Sequence, residues 1–333
     1  MKLAAVFSDN MVFAENKPVR VFGTGDGVAE ISFCGEKARA VSAGGKWLAV
    51  FPARPAGGPY ELEIVLNGER TLIKNVCVGK VYLVAGQSNA EFTLEESNTP
   101  QSLYASDGDL RCFFVERPWC ETEPMTTRDG WQTASKEKAG KWSALGYLTG
   151  RLARERAKTP VGLVSCFQGA SVIESWLPPE DAVCFRLPDE KLYCDHFIPE
   201  FAFWNRNSVI YDTMLKDLFP FSFSGVIWYQ GESDASPEEA EIYGKELARF
   251  FSVLREGFCD ASLRIALIQI ADCAERLKNN RAGWEGIQNA QKRAAESDEN
   301  AFLVLSRDIC ETACIHPPTK TLLAGRIADA LLS

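Results

Sequence analysis

The first 75 residues consist of short runs in which apolar and polar positions alternate. Turns rich in glycine, such as 25–27 and 44–45, separate these runs. A period of two is typical of strands that bury one face, and frequent glycine turns favour hairpins. The pattern therefore predicts a small antiparallel, sandwich-like β domain over residues 1–76. Its clearest strand candidates are 19–22, 29–33 and 60–66.

The pattern changes after residue 76, where continuous apolar runs predict buried strands. These runs are 81–85, 161–165, 226–229, 265–270 and 302–305. Helical periodicity lies between and after them, at 145–157, 237–255, 284–296 and 319–332. Strands that alternate with helices predict an α/β domain over 77–333, with a mostly parallel sheet covered on both faces. Residues 98–133 and 178–207 lack a clear period, so we predict long loops there.

Polar residues follow four of the apolar runs, at the point where each predicted strand ends. The first run leads into Gly86-Gln87-Ser88-Asn89, the second into Gln168-Gly169 and the third into Gln230-Gly231-Glu232. The last is followed, after a short loop, by His316. Ligands of open parallel sheets bind beyond the carboxyl ends of the strands. A serine becomes a good nucleophile when an imidazole accepts its proton, so we predict acyl transfer at this edge.

The remaining site predictions concern oxyanion donors and substrate contacts. The backbone N–H groups of Ser88 and Gly169 and the side-chain amide of Gln230 are predicted to stabilise an oxyanion. Two arginines in the predicted loops are interpreted as surface residues, with pairing of a sugar carboxylate as the alternative, and a loop histidine is interpreted as structural. These residues are Arg117, Arg186 and His196. The predicted substrate contacts are Gln87, Asn89, Trp176 and Glu232. For Glu232, hydrogen bonds to neighbouring loops that support Gln230 are the favoured role, and catalysis as an acid or base is the alternative.

Three of these blocks together resemble the sialate O-acetylesterase family of the SGNH hydrolases. They are Gly86-Gln87-Ser88-Asn89, Trp228-Tyr229-Gln230-Gly231-Glu232-Ser233 and Ile315-His316-Pro317. Stretches at 7–12, 162–164, 173–176 and 208–211 are also similar to that family. The resemblance implies a three-layer α/β/α, flavodoxin-like catalytic domain that hydrolyses acetyl esters on sugars. It also implies Ser88 as nucleophile and His316 as base.

The third member of the triad departs from the pattern. The family usually carries an aspartate two or three residues before the histidine, where this chain has Cys314 and Ala313. Asp308, or alternatively Glu311, is predicted to orient His316 from the same loop. A backbone carbonyl is the other possibility, and it would leave a Ser–His dyad. Asp234 is a further acid, for which a helix N-cap before the helix at 237 is the simpler role.

Composition narrows the class of partner. The net charge of -9 argues against nucleic acid, and no apolar run reaches the roughly 18–20 residues that span a bilayer. The short apolar start predicts no leader peptide and hence a cytoplasmic protein. The 11 cysteines contain no Cys-x-x-Cys pair, so we predict no metal or other cofactor. Oligomeric state is left open.

The sequence therefore predicts a serine esterase that removes acetyl groups from sugars, with O-acetylated sialic acid as the first choice of substrate. Acetylated xylan or another glycan remains an alternative within the same reaction. Two further hypotheses stay open. One is a carbohydrate-binding protein that has lost activity, suggested by the missing aspartate. The other is a lipase-like or thioesterase enzyme that prefers longer acyl chains.

Overall fold

The structure, a computed structural model, describes residues 1–117, 130–185 and 202–332. Arg186 and His196 lie outside these residues. The strands are β1 (Lys2–Leu3), β2 (Val12–Ala14), β3 (Val19–Thr24), β4 (Val28–Phe33), β5 (Glu36–Val41), β6 (Lys46–Phe51), β7 (Gly57–Leu66), β8 (Glu69–Gly86), β9 (Asp107–Phe114), β10 (Gln132–Ala134), β11 (Val161–Phe167), β12 (Gly225–Tyr229), β13 (Ile265–Ile268) and β14 (Ala301–Val304). The α-helices are α1 (Ser88–Glu91), α2 (Lys136–Ala139), α3 (Ala144–Ala157), α4 (Pro179–Phe185), α5 (Pro237–Gly257), α6 (Ala274–Glu296) and α7 (Thr321–Leu332).

A mixed sheet of eleven strands forms the centre of this α/β fold. Six of its strands run parallel in the order β9-β11-β8-β12-β13-β14, and β10 pairs antiparallel with β9 at one edge. The five apolar runs of the sequence correspond to the end of β8 and to β11–β14. Because these strands are parallel, their carboxyl ends lie along one edge of the sheet.

Strand β8 joins the N-terminal β region to this parallel sheet. Its first part pairs antiparallel with β7 and its middle pairs parallel with β2, whereas its last part pairs with β11 and β12. Strands β1, β3 and β6 form a separate three-stranded sheet. The boundary expected at residue 76 falls inside β8, and the independence of residues 1–76 stays a prediction.

Strand β9 lies in the region 98–133, which was expected to be a loop. Its sequence contains Arg111, a residue that breaks the apolar run and conceals the strand. Arg111 is only 2% exposed. It donates to the carbonyl oxygens of Asn10 at 2.9 Å, Asn75 at 2.5 Å and Gly108 at 2.9 Å. A buried charge is tolerated when its donors are satisfied, so β9 carries arginine at an interior position.

Helices cover both faces of the parallel strands. A β-carbon added at Gly146 of α3 would meet Val84 of β8 at 3.2 Å, so α3 lies on the Val84 face. Val84 pairs with Ile227 of β12, and the next residue, Trp228, therefore points to the opposite face. There the Trp228 ring lies 4.3 Å from the Phe250 ring of α5. The helices α3 and α5 thus pack on opposite sides of the sheet.

The N-terminus of α5 corrects one expectation about capping. Ser236, and not Asp234, occupies the N-cap position, and its side chain accepts from the Glu239 N–H at 3.1 Å. Pro237 takes the first helical position, where its lack of an N–H costs nothing. Asp234 instead lies buried in a 3₁₀ turn between β12 and α5.

Trp176 belongs to the core and does not line a sugar site, so that expectation was wrong. It is fully buried, in the 3₁₀ turn Ile173–Trp176. Its ring packs edge-on at 5.0 Å from Trp228 and lies 6.3 Å from Phe250. The indole N–H donates to Ser171 Oγ at 3.1 Å. A large aromatic side chain with a satisfied polar atom is a stable core element.

We expect Trp176→Ala to lower the free energy of unfolding by about 3–5 kcal/mol, because it leaves a cavity between α5 and β12. Urea unfolding followed by tryptophan fluorescence and circular dichroism measures the change. Leu48→Ala is the matched control, since Leu48 is 44% exposed on β6. An unfolding free energy for Trp176→Ala equal to that of the Leu48 variant would contradict the core assignment.

Candidate active site

The end of β8 is shaped by a glycine that contacts the neighbouring strand. Gly86 has φ +134°, and a β-carbon there would lie 2.0 Å from the Tyr229 carbonyl oxygen of β12. The Gln87 N–H donates to the same oxygen at 2.9 Å. Only glycine permits this approach and this φ. The chain then turns into α1, which begins with Ser88 at the carboxyl edge of the sheet.

Ser88 and His316 meet at this edge. His316 lies in the loop between β14 and α7, and its Nε2 is 2.8 Å from Ser88 Oγ. Both residues are half-buried. A hydroxyl in hydrogen-bond contact with an imidazole nitrogen can transfer its proton to that nitrogen as it attacks an electrophile. The two residues are 228 positions apart in the chain, so the fold itself creates the pair.

The surroundings of His316 favour its neutral form. Burial lowers the pKa of His316 below its usual 6.5, and the positive charge of Lys320 lowers it further. The negative charge of Glu96 acts in the opposite direction. The ring of Phe92 lies 6.0 Å from the imidazole at an angle of 32°. A neutral imidazole is the form that accepts a proton, so the environment prepares His316 as a base.

No acid hydrogen-bonds to Nδ1 of His316 within the residues that the structure describes. Asp308, the expected orienting acid, instead binds Arg326 through both oxygens at 2.6 and 2.7 Å. Those hydrogen bonds lower the pKa of Asp308 and hold its carboxylate away from the imidazole. Glu311, the alternative, accepts from Thr319. The structure therefore assigns neither acid to His316.

Glu96 is the carboxylate whose charge acts on His316. It is exposed and accepts hydrogen bonds from the Thr93 N–H at 2.8 Å and the Thr93 hydroxyl at 2.7 Å. Burial acts to raise the pKa of Glu96, but the two hydrogen bonds from Thr93 outweigh it and lower the pKa. Glu96 is thus ionised near neutral pH, at a fixed place near the imidazole.

The polar residues beside Ser88 point inward and connect loops, which corrects their expected role as substrate contacts. Gln87 is 2% exposed. Its carbonyl oxygen accepts from the N–H groups of Gly231 at 3.1 Å and Ser233 at 3.3 Å. Asn89 is 1% exposed. Its amide donates to Glu232 Oε1 at 2.7 Å and to the Ile315 carbonyl at 2.9 Å. These residues therefore fix the loops around the site.

Glu232 belongs to the same buried network, in which its carboxylate faces a neighbouring loop and not solvent. It is 4% exposed and is bound by Asn89. Burial raises the pKa of Glu232 to about 7, although the hydrogen bond from Asn89 and the charge of Lys320 lower it. Glu232 therefore changes its charge close to neutral pH, beneath the reactive pair.

The three expected oxyanion donors differ in availability. The Ser88 N–H begins α1 and makes no hydrogen bond among the described residues, so it can receive an oxyanion. The Gly169 N–H lies beside Ser88 but donates to Glu91 Oε2 at 3.0 Å. The Gln230 amide is fully buried and donates to the Ser171 carbonyl at 3.0 Å and to Asp234, so it was wrongly expected to be a donor.

A charged pair borders the Ser88–Gly169 side of the site. Glu91, at the end of α1, receives the Gly169 N–H through Oε2 and pairs through Oε1 with Arg117 at 3.1 Å. Arg117 also donates to Gln168 Oε1 at 3.0 Å. Both side chains are partly exposed. A carboxylate and a guanidinium that are accessible to solvent thus stand next to the serine.

Several of these residues were not identified from the sequence. Glu91 lies three residues after Ser88 and Lys320 four residues after His316, so closeness in sequence was the available signal. Glu96 carries no such pattern, and only the fold of the loop after α1 brings it towards the imidazole. The residues missed are Glu91, Glu96 and Lys320.

The described part of the chain contains no group of three or more His, Cys, Asp or Glu side chains that could hold a metal ion. Within the same residues, none of the helices has both the length and the apolar character needed to cross a bilayer.

Several known proteins are similar to this chain. The chain is similar to the crystal structure of a carbohydrate acetylesterase from Xanthomonas citri, with a TM-score of 0.85 and 28% identity. The match covers 99% of this chain and 74% of that one. The human sialate O-acetylesterase is 25% identical over 84% of this chain and 59% of its own length. The rat enzyme is 24% identical over 97% of this chain and 71% of its length.

The chain spans about three fifths of the length of the human relative. Residues 78–333, which include Ser88, Gly169 and His316, match the profile of the family described as carbohydrate esterase, sialic acid-specific acetylesterase. The match covers well over half of the chain and contains every residue of the reactive edge. The protein belongs to this family of carbohydrate esterases.

Proposed function

We propose that the chain is a serine-dependent carbohydrate O-acetylesterase that works through Ser88 and His316, with O-acetylated sialic acid as its substrate. The observation that carries this proposal is the 2.8 Å contact between Ser88 Oγ and His316 Nε2 at the carboxyl edge of the parallel strands. Membership of the carbohydrate esterase family supports the ester bond as the target. The names of the mammalian relatives support sialic acid over xylan or another glycan.

The chemistry follows from the placement of the two side chains. Ser88 Oγ attacks the acetyl carbonyl carbon while His316 Nε2 accepts the hydroxyl proton. The sugar oxygen then leaves and takes that proton, so an acetyl-serine remains. His316 next removes a proton from water, which attacks the acetyl carbon. Acetate leaves, and Ser88 Oγ regains its proton from His316.

The oxyanion formed during each attack rests first on the Ser88 N–H. The Gly169 N–H joins it when Glu91 Oε2 moves away, and Arg117 remains as a partner for the displaced carboxylate. One such donor is typically worth about 3–4 kcal/mol of the barrier. Glu91 must leave because a carboxylate next to a developing negative charge would raise the barrier.

Two broader features belong to the same proposal. The helices on opposite faces of the sheet support the three-layer SGNH arrangement, with the N-terminal β region beside it. A reducing compartment such as the cytoplasm is supported by the thiols, since the nine cysteines in the described residues are free. We propose an acetylated sugar as the binding partner, and we propose no binding to a nucleic acid or a membrane.

Replacement of the nucleophile tests the proposed reaction. We expect Ser88→Ala to lower kcat by about 10⁴-fold or more, because no hydroxyl remains to form the acetyl intermediate. Acetate release from O-acetylated sialic acids, xylo-oligosaccharides and a chromogenic acetyl ester measures it. Ser262→Ala is the control, since Ser262 is exposed and hydrogen-bonds only within the 260–263 turn. Wild type as inert as Ser88→Ala would favour the carbohydrate-binding alternative.

The pH dependence tests the identity of the base. We expect the acid limb of kcat/KM to lie below pH 6.5, because burial and Lys320 lower the pKa of His316 in the free enzyme. Activity should therefore persist as the pH falls to that value and be lost below it, when the imidazole becomes protonated. Initial rates between pH 4.5 and 8.5 measure the limb. A limb above pH 7 would rule out this assignment of the base.

The carboxylates near His316 make different contributions. We expect Glu96→Gln to lower kcat about three- to tenfold, because its charge stabilises the imidazolium that forms in the transition state. The same change should move the acid limb downward, since Glu96 raises the pKa of His316.

Asp308→Asn should keep kcat within about twofold of wild type, because Asp308 is an exposed partner of Arg326. Glu95→Gln is the neighbouring control. A larger loss for Asp308→Asn than for Glu96→Gln would reverse the assignment.

A further inference from the structure

Lys320 is a buried lysine that the acetyl-transfer steps above do not use. It precedes α7, and its side chain is fully buried. Its ammonium lies 5.0 Å from the centre of the Phe92 ring and 5.7 Å from the centre of the Tyr229 ring. Aromatic faces attract a cation and offset part of its loss of water. A buried lysine lowers the stability of the fold unless its ammonium is paired.

The ammonium holds Asn89, the residue after the nucleophile. Lys320 Nζ donates to Asn89 Oδ1 at 2.8 Å. This contact fixes which way the Asn89 amide points, because the lysine binds only the oxygen. The amide nitrogen is thereby directed to the Ile315 carbonyl at 2.9 Å and to Glu232 at 2.7 Å. Ile315 is the residue immediately before His316. A chain of two hydrogen bonds thus connects Lys320 to the backbone that enters the base.

The second link between Lys320 and His316 is electrostatic. Phe92 contacts both residues, since its ring lies 6.0 Å from the imidazole and 5.0 Å from the ammonium. Burial lowers the pKa of Lys320 to about 8, so the ammonium remains charged throughout the range in which His316 titrates. Within the described residues, no carboxylate forms a salt bridge with Lys320, and its charge is not cancelled by direct contact.

The other charged groups that face this region are few. Burial opposes the charged form of Lys320, whereas the carboxylates of Glu232 and Glu311 favour it. His316 is influenced by Lys320 and by Glu96, with opposite effects. The Lys320 charge is therefore the one positive charge that acts on the imidazole among the described groups.

Resting on the proposed Ser88–His316 chemistry, we infer that Lys320 is a positioning residue for the base. Its hydrogen bond to Asn89 holds the Ile315–His316 backbone in place, and its charge keeps the imidazole unprotonated before substrate binds. In this way the chain holds its histidine through the Ile315 backbone, since no acid hydrogen-bonds to Nδ1 of His316 in the part of the chain that the structure describes.

Two variants separate the hydrogen bond from the charge. Lys320→Gln keeps an N–H donor for Asn89 but removes the charge, whereas Lys320→Met removes both. We expect the acid limb of kcat/KM to move upward in both variants. The kcat on its high-pH plateau should fall about tenfold to a hundredfold in Lys320→Met, because the base is misplaced, and less in Lys320→Gln. Lys292→Met is the control, since Lys292 is exposed on α6.

An NMR titration of His316, which does not require the protein to hydrolyse a substrate, completes the test. The chain has two histidines, so comparison with His316→Gln assigns the His316 resonance in NMR spectra of the Ser88→Ala protein. The His316 midpoint should rise in both Lys320 variants and stay unchanged with Lys292→Met. An unchanged His316 midpoint in Lys320→Gln overturns the inference. If Lys320→Met does not fold, the result for Lys320→Gln is sufficient to decide. If the midpoint rises but wild type hydrolyses no ester, the positioning role stands and the proposed function fails.

Discussion

The approach of β8 to β12 is the constraint on which the rest of this site depends. At Gly86 the two strands lie so close that a β-carbon would overlap the Tyr229 carbonyl. The contact places the turn after β8 directly beside the turn after β12. Gln87 and Asn89 can then reach Gly231, Ser233 and Glu232, and Ser88 between them is left facing the edge. Backbone proximity thus decides which side chains point inward and which one remains available for chemistry.

A layer of buried polar groups lies beneath the reactive pair, whereas no carboxylate among the described residues hydrogen-bonds to the histidine ring. Gln87, Asn89, Gln230 and Lys320 are almost entirely removed from solvent, and each uses its polar atoms on loop backbones or on one another. Groups of this kind are costly to bury unless they are paired, and when they are paired they specify one geometry. The geometry of the site is therefore determined by the hydrogen bonds of these buried side chains.

The framework of the fold could be predicted from the sequence, because buried parallel strands form continuous apolar runs and four of the helices have a clear hydrophobic period. It failed at β9, where Arg111 interrupts the run, since burial of an arginine depends on carbonyls supplied by Asn10 and Asn75 far along the chain. The motif residues were found, but the direction in which each side chain points was not. Direction follows from pairing register and from contacts across loops, which a single sequence does not display. Gln230 and Trp176 were misread for this reason.

Strand β8 pairs with N-terminal strands in its first part and with the parallel strands in its last part, and this affects where the chain can change in length. Side chains alternate along β8, so one residue inserted between Lys74 and Gly86 would turn every later side chain to the opposite face. Val84 would then point towards α5 instead of α3, and the turn that carries Ser88 would leave the sheet from the wrong side. Extra residues in the Asn67–Gly68 turn before β8 would not change this alternation, provided that the hydrogen bonds of Asn67 to Asp26 and Val28 are kept. Homologous chains should therefore differ in length at that turn and keep the second half of β8 invariant in length.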